Sequence, residues 1–178
     1  MKKFMFACFV ALMLVSSGMF ATNAHAIGKG VVFVDANELM TKSKPGKVAQ
    51  KYLAEVKTVL QGAFDQVVAI NEKKQKTLTG EEAKNFNPQP EIQRAQGMLQ
   101  QQLQGYINEI NVRMSLLIQE ASEKWLKRNS DYMAVVPKNN AFATNKKADV
   151  TSKIMDYLDD LKIELPELPK VVVEENKK

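Results

Sequence analysis

The chain has 178 residues, a formal net charge of +5, one cysteine and one histidine. Both of these residues, Cys8 and His25, lie in an N-terminal segment that has the features of a secretory signal. Once this segment is removed, the composition excludes disulfides, thiol nucleophiles, Ser-His-Asp triads and the usual zinc sites. We therefore expect no catalytic residue, no bound metal and no cofactor, and an enzyme is the least favoured class of protein.

Residues 1–26 are typical of a signal peptide. Two lysines follow the first methionine, Phe4–Val15 is a short apolar run, and Ala24-His25-Ala26 matches an A-x-A cleavage site. The apolar run is shorter than the ~20 residues that a membrane-spanning helix needs. We expect export to the periplasm and cleavage after Ala26.

The segment that follows predicts a strand and a short helix. Val31–Val34 is wholly apolar, as in a buried strand. Asp35 is a candidate helix cap, with Glu38 at the spacing of a capping box. A second helix is expected to start near residue 44, with either Ser43 as its cap or Pro45 in its first turn.

Two long amphipathic helices over residues 47–129 dominate the chain. In the first, apolar residues recur at alternating steps of four and three, and this heptad seam predicts a gentle left-handed supercoil. Its members are Ala49, Leu53, Val56, Leu60, Ala63, Val67 and Ile70. The seam of the second helix is Ile92, Leu99, Leu103, Tyr106, Ile110, Met114, Leu117, Ala121 and Trp125. A polar turn from Thr79 to Pro90 separates the helices, because its two prolines disfavour a continuous helix.

Both arms carry more apolar residues than a two-helix seam needs, and such a surplus indicates a binding surface or an oligomer contact. The candidate apolar contacts are Val59, Phe64, Val68, Met98, Ile107 and Val112. Tyr52, Leu116 and Ile118 also lie off the seam. Residues 44–129 hold 13 basic and 9 acidic side chains, and the candidate basic contacts near the tip are Lys73, Lys74, Lys76 and Lys84. The alternative is a plain coiled-coil spacer with a solubilising surface.

After the arms the pattern returns to strands. Tyr132–Val136 is a predicted strand, and a turn through Pro137–Asn140 leads to a second, short strand at Ala141–Ala143. A last helix is predicted over Ser152–Leu161, capped by Asp149 or Thr151. The chain beyond it is expected to be extended and mobile.

The predicted strands lie on both sides of the hairpin, so they can meet only if the hairpin returns to its starting point. We divide the chain into a signal peptide (1–26), a β-containing head (27–46 and 130–163), a helical arm (47–129) and a flexible tail (164–178). Such a small head cannot bury a sufficient core alone, which favours completion by other subunits. The candidates for the subunit core are Val32, Val34, Met133 and Val135.

Several segments together resemble the OmpH family. They are Val32–Leu39, Ser43–Gln50, Tyr132–Val136, Asn140–Ala141 and Ala148–Thr151. The order of signal, strand, long helical hairpin, strands and helix is also the same, and the resemblance covers residues 29–162. Each segment is short and apolar, so the specificity comes from their combination and order.

The resemblance implies a mainly α protein with a small β part (α+β). A long helical hairpin, a coiled-coil tentacle, would project from a small β-barrel head completed by trimerisation. It also implies an ATP-independent periplasmic holdase that binds unfolded outer-membrane proteins in a cavity between the arms. The alternative is an envelope coiled-coil spacer or adaptor without chaperone activity. We expect no nucleic-acid partner, because the chain is only modestly basic, while weak contact with a membrane or lipopolysaccharide stays open.

Overall fold

The computed structural model describes residues 30–170, so the predictions for the signal peptide and for the last eight residues lie outside it. The helices and strands are β1 (Gly30–Val34), α1 (Ala36–Lys42), α2 (Lys44–Thr77), α3 (Gly80–Asn85), α4 (Gln89–Arg128), β2 (Tyr132–Pro137) and α5 (Thr151–Asp159). The predicted fold class, mainly α with a small β part and a long helical hairpin, is confirmed. The β-barrel and the trimer stay predictions.

The caps predicted for the first helices are present. The carboxylate of Asp35 accepts a hydrogen bond from the backbone N–H of Glu38 at 2.9 Å. The Ser43 hydroxyl accepts one from the N–H of Gly46 at 3.0 Å, and Pro45 occupies the first turn of α2. The two alternatives predicted for the start of α2 therefore occur together. The Ser43 hydroxyl satisfies one free backbone N–H of the first turn, and Pro45 has no backbone N–H that would need a partner there.

The buried face of α2 is wider than the predicted heptad seam. Buried residues follow one another in steps of three, four, four and three, through Ala49, Tyr52, Val56, Leu60 and Ala63. Tyr52, expected off the seam, is buried, and Leu53 is only half-buried. Two successive steps of four match a straight α-helix, which drifts relative to a strict seven-residue repeat.

The predicted seam of α4 is confirmed along its length. Ile110, Met114, Ala121 and Trp125 are buried, and the other seam residues are half-buried. Ile110 and Met114 pack with the buried residues of α2, whereas Ala121 and Trp125 pack in the head. The last turns of α4 therefore run continuously from the arm into the core of the head.

The tip of the hairpin contains a helix that the sequence did not predict. We expected a turn from Thr79 to Pro90, but Gly80–Asn85 forms the short helix α3. Gly80 has φ 67°, a left-handed conformation that glycine adopts at little cost. Pro90 lies in the first turn of α4 and begins this helix instead of preventing it.

The sheet consists of β1 and β2 in parallel, with Val32 opposite Val135 and Val34 opposite Pro137. The predicted strand at Ala141–Ala143 is wrong, because these residues form a bend in which Phe142 is fully exposed. A run of three residues with one large apolar side chain buries little surface. The segment before α5 contacts β1 instead, and the N–H of Val150 donates to the carbonyl of Phe33 at 2.9 Å.

The core of the head is formed within one chain. Its buried members are Val32, Val34, Leu39, Ala121, Trp125, Val150, Ile154 and Leu158. Two of the four candidates for a subunit core, Val32 and Val34, are therefore buried against α4 and α5 of the same chain. Val135 is half-buried against this core, and Met133 is 69% exposed. Their role in a trimer stays a prediction.

A polar cluster fixes the start of α5. Asp149 accepts hydrogen bonds from the N–H and hydroxyl of Thr151 at 2.9 and 2.6 Å, and from the Lys138 ammonium at 2.6 Å. Burial alone would raise the pKa of Asp149, but the hydrogen bonds from Lys138 and Thr151 lower it to about 2. Thr151 in turn accepts from the N–H of Asp35 at 2.8 Å, so the starts of α1 and α5 are joined.

We expect this cluster to make the stability of the head depend on acid pH. Since the pKa of Asp149 falls from 3.8 to about 2 on folding, the stabilisation is complete above pH 3.8 and is lost as the pH falls towards 2. Urea-unfolding midpoints from about pH 5 to about pH 2 should therefore fall less steeply for Asp149→Asn than for the parent. Lys138→Gln should likewise make the urea-unfolding midpoint less dependent on pH than in the parent. Equal slopes in all three proteins would contradict the assignment.

Candidate functional site

The arm is long relative to the head and exposes most of its surface. With 34 and 40 residues, α2 and α4 extend about 50 and 60 Å. The apolar cluster between them contains Ala49, Tyr52, Val56, Leu60, Ile110 and Met114, all in the half of the hairpin near the head. The outer faces and the tip therefore present a broad surface to solvent.

The most exposed apolar side chains of the arm lie on α4. Met98 is 55% exposed, and Val112 and Leu116 are each 60% exposed. Val112 and Leu116 are one helical turn apart, and they line a shallow open groove together with Asn111, Ser115 and Gln119. Such a groove offers apolar contact without the shape of an enclosed pocket.

The structure divides the apolar residues predicted for the binding surface into two groups. Met98 and Val112 are exposed, whereas Val59, Phe64, Val68 and Ile107 are half-buried. The candidate set omits two exposed apolar residues of the arm, Leu116 on α4 and Val48 near the start of α2. The exposed stripe of α4, Met98, Val112 and Leu116, is therefore the best-defined part of the candidate surface.

The predicted basic residues lie near the tip. Lys73, Lys76 and Lys84 are exposed, and Lys74 is half-buried. The last turns of α2 carry Lys73, Lys74 and Lys76, and the last turn of α3 carries Lys84. Cations at the C-terminal end of a helix are favoured by its dipole, so these lysines have a structural reason as well as a candidate binding role.

The described part of the predicted tail lies against the base of the arm. We call residues 162–170 the strap, because they follow α5 without helix or strand structure and contact both arm helices. The Arg113 guanidinium donates to the carbonyl of Glu164 at 3.0 Å, and the Tyr52 hydroxyl donates to the carbonyl of Glu167 at 3.2 Å. The repeat Glu-Leu-Pro-Glu-Leu-Pro in this segment does not by itself predict these contacts.

Tyr52 and Arg113 are themselves held in place. The Tyr52 ring meets Tyr106 edge-on, with ring centroids 6.3 Å apart. Glu109 accepts from two nitrogens of Arg113, at 2.7 and 3.2 Å, and so orients the guanidinium. Burial raises the pKa of the Tyr52 hydroxyl, with further contributions from Tyr106 and Glu109, so this group is a hydrogen-bond donor at neutral pH.

Neither a candidate metal centre nor a candidate membrane-spanning helix occurs in the part of the chain that the structure describes. Within residues 30–170, no group of three or more acidic, histidine or cysteine side chains is arranged to hold a metal ion. Over the same residues, no helix combines the length and the apolar character needed to cross a membrane.

No family model and no curated protein matches the chain. Among solved structures, the chain is similar to a crystal structure from Caulobacter crescentus CB15 described as an OmpH-like candidate outer membrane chaperone. The two are 14% identical, the match covers 86% of this chain and 97% of the other, and the TM-score is 0.45.

Proposed function

We propose that the protein is an ATP-independent periplasmic holdase that binds unfolded outer-membrane proteins between the helical arms of a trimer and prevents their aggregation. The observation that carries this proposal is the exposed stripe of α4, Met98, Val112 and Leu116, on an arm far longer than its own packing needs. Val112 and Leu116 adjoin at the open groove, and adjoining exposed apolar side chains on a folded protein indicate a binding surface.

The character of this surface suits a client without fixed structure. An unfolded β-barrel protein exposes apolar segments and unpaired strands, which associate with one another. A holdase needs a broad and adaptable surface for such segments, and the flexible side chain of Met98 and the open groove at Val112 and Leu116 provide one. Hydrolysis of a nucleotide is not required, because binding alone keeps the client dispersed.

A trimer would place several arms around one client. The sheet supports association, because β1 and β2 are its only strands within residues 30–170 and Met133 on β2 is 69% exposed. We expect the mass of the exported protein in solution, measured by sedimentation equilibrium, to be three times that of the cleaved chain. A monomer would contradict the enclosed cavity, and a dimer would favour the spacer alternative.

The direct test of the function is light scattering of an unfolded outer-membrane β-barrel protein diluted from urea. We expect the scattering to fall in proportion to added protein, without ATP, until about one trimer is present per client. An envelope spacer of the same shape would leave the scattering unchanged. A folded soluble protein of similar size is the control for crowding and for residual urea.

The lysines near the tip should add a salt-dependent contribution to client capture. Exposed charges are screened over about 10 Å at 0.1 M salt, so their attraction is strongest at low ionic strength. We expect the triple variant Lys73→Gln, Lys74→Gln and Lys76→Gln to bind clients severalfold more weakly at low salt and equally well at high salt. Lys146→Gln with Lys147→Gln, in the head, is the matched control. A loss that is the same at every salt concentration would exclude a screened electrostatic role.

A further inference from the structure

The sequence of the strap repeats every three residues, and its contacts with the arm recur with the same period. Its sequence from Glu164 is Glu-Leu-Pro-Glu-Leu-Pro, and the half-buried residues are Ile163, Pro166 and Pro169. The two carbonyls that accept hydrogen bonds from the arm, those of Glu164 and Glu167, are also three residues apart. Three residues per turn is the period of the polyproline II helix, whose free carbonyls can accept hydrogen bonds from outside.

The composition of the strap favours this conformation. Proline fixes its own φ near −65°, and it biases the preceding residue towards extended geometry. Leu165 and Leu168 each precede a proline, and both side chains are exposed. The side of the strap that faces the arm therefore consists of Ile163, the prolines and the two carbonyls, while the leucines face solvent.

The surface under the strap has matching groups in fixed positions. Tyr52 is 4% exposed and is held by Tyr106, and Arg113 is held by Glu109. Each presents one donor to a strap carbonyl, and Ile163 packs against the apolar cluster of the arm. Recognition of an extended proline-bearing peptide by an aromatic residue and a few donors to its main chain is a recurring binding mode.

We propose that the surface under the strap, at Tyr52 and Arg113, is a binding site for peptides in polyproline II conformation, which the protein's own strap occupies. The ligand class is an extended segment with proline at every third residue. The strap is the intramolecular ligand, and a peptide of the same pattern binds when the strap is released. The site does not depend on client holding by the exposed stripe of α4.

The test uses the full chain and a fluorescent peptide with the sequence of residues 162–170. The double variant Pro166→Gly and Pro169→Gly keeps the strap's length but removes the constraint that favours its bound conformation. Binding is followed by fluorescence anisotropy with protein up to about 1 mM. This range is chosen because a segment joined by a short tether, like the strap, acts at an effective concentration of about 1 mM. The control peptide has the same composition with its two prolines adjacent. Circular dichroism checks that the helix content of the variant equals that of the parent.

We expect the double variant to bind the repeat peptide at least tenfold more tightly than the control peptide, and at least tenfold more tightly than the parent does. Adding Tyr52→Phe to the double variant should weaken binding about threefold to tenfold, since one hydrogen bond is lost while the ring remains. Failure of the double variant to distinguish the two peptides, or to bind either, would overturn the site. Equal binding by parent and double variant would show that the strap does not occupy it, and no effect of Tyr52→Phe would place the peptide elsewhere.

Discussion

Gly46→Ala is expected to destabilise the protein by about 3 kcal/mol, the upper part of the range for overpacked sites. Gly46 is buried in the first turn of α2, where a Cβ atom would collide with the backbone carbonyl of Met40 and lie 2.9 Å from Ser43 Oγ. The carbonyl belongs to α1 and cannot rotate away as a side chain would. The junction between α1 and α2 must open, which disturbs the Ser43 cap as well.

Thermal unfolding followed by circular dichroism measures this effect. For a domain of 150–250 residues, about 3 kcal/mol lowers the melting temperature by roughly 6–12 °C. Gly62→Ala is the matched control, because Gly62 lies in the same helix and an added Cβ meets nothing within 4 Å. Alanine should stabilise α2 at that position by up to about 1 kcal/mol. If both substitutions lowered the melting temperature, or both raised it, the close approach of the Met40 carbonyl to Gly46 would be contradicted.

Local sequence patterns were sufficient for much of this fold. The caps at Asp35 and Ser43 depend on residues three positions away, and the seam of α4 depends on a periodicity that repeats along the helix. The sites that sequence missed depend on distant partners. Tyr52 is off the heptad seam, and its hydroxyl meets a strap residue 115 positions further along the chain.

Two further differences have local physical reasons, one in burial and one in the preferences of glycine and proline for helix ends. The three residues Ala141–Ala143 have a strand-like composition, but Phe142 has no surface to cover and remains exposed. At the tip, glycine and two prolines suggested an irregular turn. Gly80 instead allows the chain to reverse into α3, and Pro90 starts α4, because each residue suits a helix end better than a helix interior.

The sequence predicts which apolar side chains of the arms lie off the seam, but not which of them face solvent. Counting apolar residues beyond the seam located the arms, and Met98 and Val112 are indeed exposed. The count cannot separate residues that widen the packed face from those that face solvent. The half-buried residues widen the packed face of the arm, and they are Val59, Phe64, Val68 and Ile107. Replacing them would therefore change the stability of the arm together with any binding.

The exposed stripe of α4 allows a cleaner experiment. Val112→Ser with Leu116→Ser removes two side chains that are each 60% exposed, so we expect the helix content and the melting temperature to change little. If clients bind this stripe, suppression of aggregation should require about tenfold more protein at every salt concentration, because apolar contact is not screened. The measurement is light scattering of an unfolded outer-membrane protein over a range of variant concentrations.

The control for this double variant is Phe142→Ser, which removes the most exposed large apolar side chain in the described part of the head. It matches the double variant in the kind of change but not in location, so it should leave client holding at the parental level. Equal loss in both proteins would indicate that general surface hydrophobicity, and not the arm, retains clients. Full activity of Val112→Ser with Leu116→Ser would exclude this stripe as the client site, and the spacer alternative would then account better for the long hairpin.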